Sequence, residues 1–166
     1  MILICYDGSA DSKAAIAQGG ELLKGQPATV LTVWEPLIEV LARAPTGFGW
    51  APSSVDIEEI DKATRTRAEE RAQEGAELAR QAGLDARPAT RSQEGTTAAS
   101  ILAEAEAVGA SAILMGSRGL TGLKSLLLGS VSHAVIQQAD RSVIVVPSRG
   151  VARSRTRGDQ ATQESD

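Results

Sequence analysis

The chain has 166 residues, 42% hydrophobic and 23% charged, with a formal net charge of −4; this suits one domain of roughly 100–200 residues with a proper core. The acidic balance argues against a nucleic-acid-binding surface, and the four aromatic residues, Tyr6, Trp34, Phe48 and Trp50, are too few for base-stacking platforms. The single cysteine, Cys5, excludes an intrachain disulfide, and no apolar run approaches the ~18 residues of a membrane span.

In chain order, MILICYD (1–7) is a continuous apolar run suited to a strand buried on both faces. It leaves no room for a charged and apolar leader, so the expected location is the cytoplasm. GSADSK follows, with Ser9 and Ser12 as candidate N-caps. Ala15, Ile16, Gly19, Leu22 and Leu23 then recur at helical spacing up to Gly25. ATVLTVW (28–34) reads as a second strand. Residues 35–55 hold three prolines and two glycines and read as a long loop with at most one helical turn, long enough to suggest a role. A helix is expected over 56–82. Ile57, Ile60, Thr64, Ala68, Ala72, Gly75 and Ala79 mark one small-residue face that would lie close against a sheet.

DARPATR (85–91) is the least strand-like strand, because Pro88 lies within it. A helix over 97–108 follows, with Thr96 or Thr97 as cap and Gly109 as stop. ASAILMG (110–116) is a fourth strand, 130–139 a fourth helix and SVIVVP (142–147) a fifth strand. Strands separated by helices imply crossovers and a doubly wound, mostly parallel α/β sheet with helices on both faces. Residues 148–166 have little apolar content. They read as a disordered, solvated tail, the alternative being a charge-based docking segment.

The segment starting at residue 116, GSRGLTGLKSLLLGSVSHAV, mixes glycines with leucines. It joins the fourth strand to the fourth helix, where doubly wound sheets bind ligands. Glycines at 116, 119 and 129 would let backbone N–H groups approach an anion, and the following helix start adds unpaired N–H groups and a positive dipole end. The Ser130 hydroxyl can cap that helix or bind a phosphate oxygen, and the leucines anchor the loop. The Walker A pattern fails because Leu123 precedes Lys124-Ser125, and the dinucleotide fingerprint fails because Arg118 stands at its second glycine.

The spacing Gly116-Ser117-Arg118-Gly119, nine residues, Gly129-Ser130, together with YDGSADS, LLLGSVSHAV and RSVIVVP, resembles the nucleotide signature and flanking text of the universal stress proteins. The resemblance covers residues 1–147, which would form the domain. It implies strand order 3-2-1-4-5 and, in the ATP-binding branch, a bound ATP or AMP, with Mg²⁺ as an optional companion. Carried over residue by residue, Asp7 would line the adenine and ribose side, its other reading being a cap for the first helix. Val33 would contact adenine through its backbone. Met115 and Gly116 would end the fourth strand at the site, and Gly119, Gly129, Ser130 and Val131 would form the phosphate turn. Ser132 reads equally as a phosphate hydroxyl or a solvated helix residue, and Arg118 and Lys124 as phosphate partners or solvated charges. Cys5 stands where some ATP-binding members have proline, and reads as a small buried hydrophobe. His133 reads as exposed, with no Cys or second His beside it to suggest zinc.

The resemblance also implies a homodimer through 142–147, antiparallel across a two-fold axis. One side-chain face, Val143 and Val145 or Ile144 and Val146, would pack inward while the other meets the partner. Three functions compete: a nucleotide-responsive module whose loops 35–55 and 117–128 order on binding, a slow ATP hydrolase, and a structural dimer without nucleotide. No general base beside the phosphates is identifiable, which disfavours efficient hydrolysis, and the intact signature disfavours the third.

Overall fold

The short β-branched and apolar runs form the expected strands, and the helical spacings between them form helices. The computed structural model describes residues 1–43, 54–119 and 128–147. The elements are β1 (Ile2–Cys5), α1 (Ala10–Leu22), β2 (Pro27–Trp34), α2 (Leu37–Arg43), α3 (Ser54–Gln81), β3 (Asp85–Ser92), α4 (Thr97–Ala107), β4 (Ala112–Gly116), α5 (Ser130–Gln138) and β5 (Ser142–Val146). The strands form one parallel sheet in the order β3-β2-β1-β4-β5, the order expected.

Strand alternation divides the core between two layers. Ile2, Ile4 and Tyr6 pack with Ala15 and Ile16 of α1 and Ala76 and Ala79 of α3. Leu3 and Leu31 face the other way, onto Ile101 of α4 and Val135 of α5. Ser9 caps α1, accepting from the Ser12 N–H at 3.2 Å, and Thr96 caps α4, accepting from the Ala99 N–H at 3.1 Å. Gly83 (φ 93°) and Gly109 (φ 62°) turn the chain out of α3 and α4 in a backbone region that side chains disfavour.

Three expectations change. Residues 37–43 form a two-turn helix, α2, where a loop with at most one turn was expected. Its Leu37 N–H donates to Asp61 of α3 at 2.7 Å. Residues 44–53 and 120–127, within the two loops expected to order on binding, lie outside the described residues, as does the 148–166 tail. The small-residue face of α3 is buried only from Ala68 onward, and Ile60 is 39% exposed. At 28 residues α3 is about 42 Å long, whereas an eight-residue strand such as β2 spans only about 26 Å, so the first part of the helix overhangs the sheet. Pro88 sits opposite Val30 in β3, which is an edge strand, where a missing N–H is tolerated. Finally, both side-chain faces of β5 touch helices, where only one was expected to pack inward: Val143 and Val145 pack on the α4–α5 side, Ile144 and Val146 on the α1–α3 side, and of the four only Val146 is buried.

Close approach of α1 rests on glycine. A Cβ at Gly20 would lie 2.5 Å from the Ala82 carbonyl oxygen, just past α3, so backbone would have to move. Gly20→Val is expected to destabilise the fold by about 2 kcal/mol or more, through overpacking that outweighs any entropy gained by removing glycine. The shift of the urea unfolding midpoint measures it.

Candidate nucleotide site

At the carboxyl ends of β1, β2 and β4 lies a cavity of about 350 Å³, a size typical of small-molecule sites. It opens between β1 and β4, neighbours in the sheet at which the strand order reverses. Its inner wall is aliphatic, from Leu31, Val33, Ile101, Met115 and Val131. Its outer end is polar, from Asp7, Arg71, Arg118, Gly119 and Ser130. Asp7, Val33, Met115, Gly116, Gly119, Gly129, Ser130 and Val131, scattered from position 7 to 131 in the chain, all line this one cavity.

The glycines serve several purposes. A Cβ at Gly116 would sit 2.6 Å from the Asp11 carbonyl carbon, so this glycine admits the start of α1. A Cβ at Gly119 would sit 2.8 Å from Asp7 Oδ2, so this one admits a carboxylate. The Gly129 N–H donates to the Ser117 carbonyl at 2.7 Å, and Gly129 is the N-cap of α5. Donors for an anion at this turn therefore fall to Ser130, Val131 and Ser132, the first residues of α5, which have no acceptor within their own helix. Ser130 is thus the first helical residue and not the cap, and its side chain is exposed. Ser132 is 3% exposed, and its hydroxyl donates to the carbonyls of Ser117 (2.9 Å) and Gly129 (3.0 Å), so it braces the turn as neither earlier reading foresaw.

Asp7 is not the cap of α1, a place that Ser9 takes; its carboxylate accepts from the Ser9 N–H at 2.9 Å, a turn contact just before the helix, while it also lines the cavity. Arg118 is not a solvated charge: its Nε lies 3.5 Å from Asp11 Oδ2, with side chains 15% and 7% exposed. His133 is exposed and lies outside the cavity lining. Lys124 lies outside the described residues. Among the described residues no group of three or more His, Cys, Asp or Glu side chains is arranged to hold a metal ion.

Arg71, Thr97 and Ile101 were not foreseen. Arg71 follows the small-residue face of α3 without belonging to it, and Thr97 and Ile101 look like ordinary first-turn and core positions of α4. Only the packing of both helical layers on the strand ends brings them to the cavity. Burial, with the Asp7 charge adding to it, pushes the Cys5 thiol up to about 12. Burial, then the neighbouring Glu74, holds the Tyr6 phenol above its ordinary value.

A doubly wound parallel sheet with a glycine-lined crevice at its switch point defines a class of small-ligand-binding α/β proteins. The comparisons narrow it. The family model described as the universal stress protein family matches residues 1–147, so this chain belongs to that family. Universal stress protein YxiE of Bacillus subtilis is 33% identical over 147 residues, covering 87% of this chain and 97% of that one. Among solved structures, the hypothetical protein MJ0577 superposes with a TM-score of 0.70 at 24% identity, covering 88% of this chain and 94% of that one. The universal stress protein from Archaeoglobus fulgidus in complex with dAMP superposes with a TM-score of 0.55 at 21% identity, covering 87% and 95%. At these identities the structures establish the fold. Among the described residues no helix is long and apolar enough to cross a membrane.

Because nucleophilic thiolate is scarce when the pKa is near 12, only about one Cys5 thiol in 10⁴ is ionised at pH 8. Folded protein is expected to resist a thiol-reactive disulfide reagent at pH 8 and to react promptly in guanidinium. Both raised groups favour the neutral form in the fold. Their contribution is complete below the unfolded values, 9.0 for the thiol and 10.0 for the phenol, and is lost as pH rises above them. Urea midpoints should fall between pH 8.5 and 11.

Proposed function

We propose that this protein binds an adenine nucleotide, ATP or AMP, in the crevice between β1 and β4 and acts as a nucleotide-responsive module. The observation that carries this reading is the convergence of the four signature positions, and of four more carried over from the resemblance, on one cavity that is aliphatic at one end and rich in polar donors at the other. A purine ring suits the slot between Val33, Ile101 and Met115, with Asp7 beside the ribose. The α5 start suits a phosphate, through the N–H groups of Ser130 and Val131 and the helix dipole. The A. fulgidus relative solved with dAMP supports an adenine ligand. Among the described residues the lining offers one carboxylate, Asp7, so Mg²⁺ would be held chiefly by phosphate and water. Among the described residues the lining holds no histidine and no second carboxylate to act as base, and binding rather than turnover is the activity this geometry favours.

Isothermal titration with ATP, AMP and GTP tests the reading: ATP or AMP is expected to bind, and GTP less tightly. A phosphate-release assay on the same sample separates binding from hydrolysis. Gly129→Val puts a branched side chain into the anion turn, about 3.4 Å from the Ser117 carbonyl oxygen. Misplacing one charge-assisted hydrogen bond of ~1.5–3 kcal/mol should weaken ATP binding about tenfold or more.

The same reading includes a homodimer. β5 is an edge strand with Val143, Ile144 and Val145 half-buried, and Ile136 of α5 is 46% exposed. A bare apolar edge is normally covered, and a second copy would cover both edges in a closed, isologous contact. With both side-chain faces of β5 occupied by helices, the pairing is expected through the backbone edge. Light scattering at micromolar concentration should give twice the 17.3 kDa chain mass; a monomer would remove the dimer from the reading.

A further inference from the structure

Asp11 lies outside the nucleotide signature and does not line the cavity, yet it is among the most buried charges of the molecule, at 5% exposure. It stands in the first turn of α1. The helix end alone would satisfy a carboxylate there. Instead its Oδ2 accepts from two consecutive residues beyond β4: the Ser117 hydroxyl at 2.7 Å and Arg118 Nε at 3.5 Å. The glycine at 116 makes this approach possible, since a Cβ there would collide with the Asp11 backbone. Ser9, the α1 cap, lies 3.5 Å from the Arg118 carbonyl oxygen and donates to it. Both the main chain and the side chain of Arg118 are therefore held by the start of α1.

We propose that Asp11 is a positioning residue for Arg118, and that this clasp gives the cavity a preference for nucleotides with two or three phosphates over AMP and the nucleoside. The inference rests on the nucleotide reading above. A guanidinium held through Nε keeps its two terminal nitrogens for another acceptor, in the fork that matches phosphate oxygens. Arg118 is 15% exposed on its side chain, so a phosphate reaching it meets a cation poorly screened by water. The first turn of α5 can supply backbone donors to one phosphate. A second brings charge that backbone donors alone do not neutralise, and Arg118 lines the cavity beside Gly119 and Ser130, next to that turn. An unclasped arginine would have to surrender rotamer freedom on binding. The contact with Asp11 pre-organises the side chain before ligand arrives.

The test is calorimetric titration of the full chain with ATP, ADP, AMP and adenosine, for the unmodified protein, Arg118→Gln, Asp11→Asn and the double variant. Arg118→Gln should weaken ATP by about tenfold or more and leave adenosine within about twofold, because the contacts removed, one to phosphate and one to Asp11, do not touch the nucleoside. Asp11→Asn should show the same phosphate-selective pattern at roughly three- to tenfold, and the double variant should be no weaker than Arg118→Gln alone, since both changes act on one interaction. Equal losses for ATP and adenosine in Asp11→Asn would make Asp11 merely structural, and an additive double variant would break the link to Arg118. If Asp11→Asn fails to fold by circular dichroism, Arg118→Lys decides. It keeps the charge without the fork, so its ATP affinity should lie between those of the unmodified protein and Arg118→Gln, whereas a value equal to either would overturn the clasp. A protein that binds ATP while Arg118→Gln changes nothing overturns this proposal alone. A protein that binds neither ATP nor adenosine overturns the nucleotide reading and the proposal with it.

Discussion

Ser117, the first residue past β4, is hydrogen-bonded to three other elements at once. Its N–H donates to the Val146 carbonyl at the end of β5, at 2.9 Å. Its carbonyl accepts from the Gly129 N–H (2.7 Å) and the Ser132 hydroxyl (2.9 Å) at the start of α5. Its hydroxyl donates to Asp11 in α1 at 2.7 Å. The residue is 3% exposed, and each of these groups left without a partner at that depth would cost about 1–3 kcal/mol. The chain leaves β4 in one direction because this hub leaves it no other. The cavity wall, the α5 start and the last strand of the sheet are all referenced to it.

The hub sits at the place where strand order reverses. Chain from β1 passes to α1 on one face of the sheet, whereas chain from β4 passes to α5 on the other, and a crevice opens between the two departures. This is why one cavity draws its aliphatic wall from the α4–α5 side and its cations from two separate places, Arg71 on α3 and Arg118 beyond β4. It is also why β5 is close to the site in bonding though remote in side chains: the Ser117–Val146 hydrogen bond runs from the cavity loop to the sheet edge.

The packing that holds the strands in place uses few large side chains on the helices. Ala68, Ala72, Ala76 and Ala79 are buried on α3, and Gly20 and Gly75 leave no room for a Cβ against Ala82 and Tyr6. Small faces bring helix backbones close to strand side chains, so Ile4, Val30, Leu31, Ile113 and Leu114 carry the core. An overpacked position in α1 or α3 would therefore reach the site through the sheet.

The five strands and every helix but α2 were legible in the sequence pattern, while the strand order and eight of the crevice residues were legible only through the family resemblance. Period-two and 3.6 patterns report local burial directly, and the spacing of Gly116, Gly119, Gly129 and Ser130 places them on one connection. Other features depend on partners distant in sequence and could be decided only by tertiary structure. Pro88 is harmless because β3 is an edge. Ile60 is exposed because α3 outruns the sheet. Both faces of β5 are partly covered because helices lie on each side of it. The roles of the polar residues were the least legible. In sequence Asp11 is an ordinary first-turn acid and Ser132 a helix hydroxyl; Ser117, 106 positions from the one and 15 from the other, is the partner of both. A hydrogen bond between distant residues leaves no period in the chain, so the sequence pointed to eight of the residues that gather at the crevice, and the fold added Arg71, Thr97 and Ile101 and decided what each one holds.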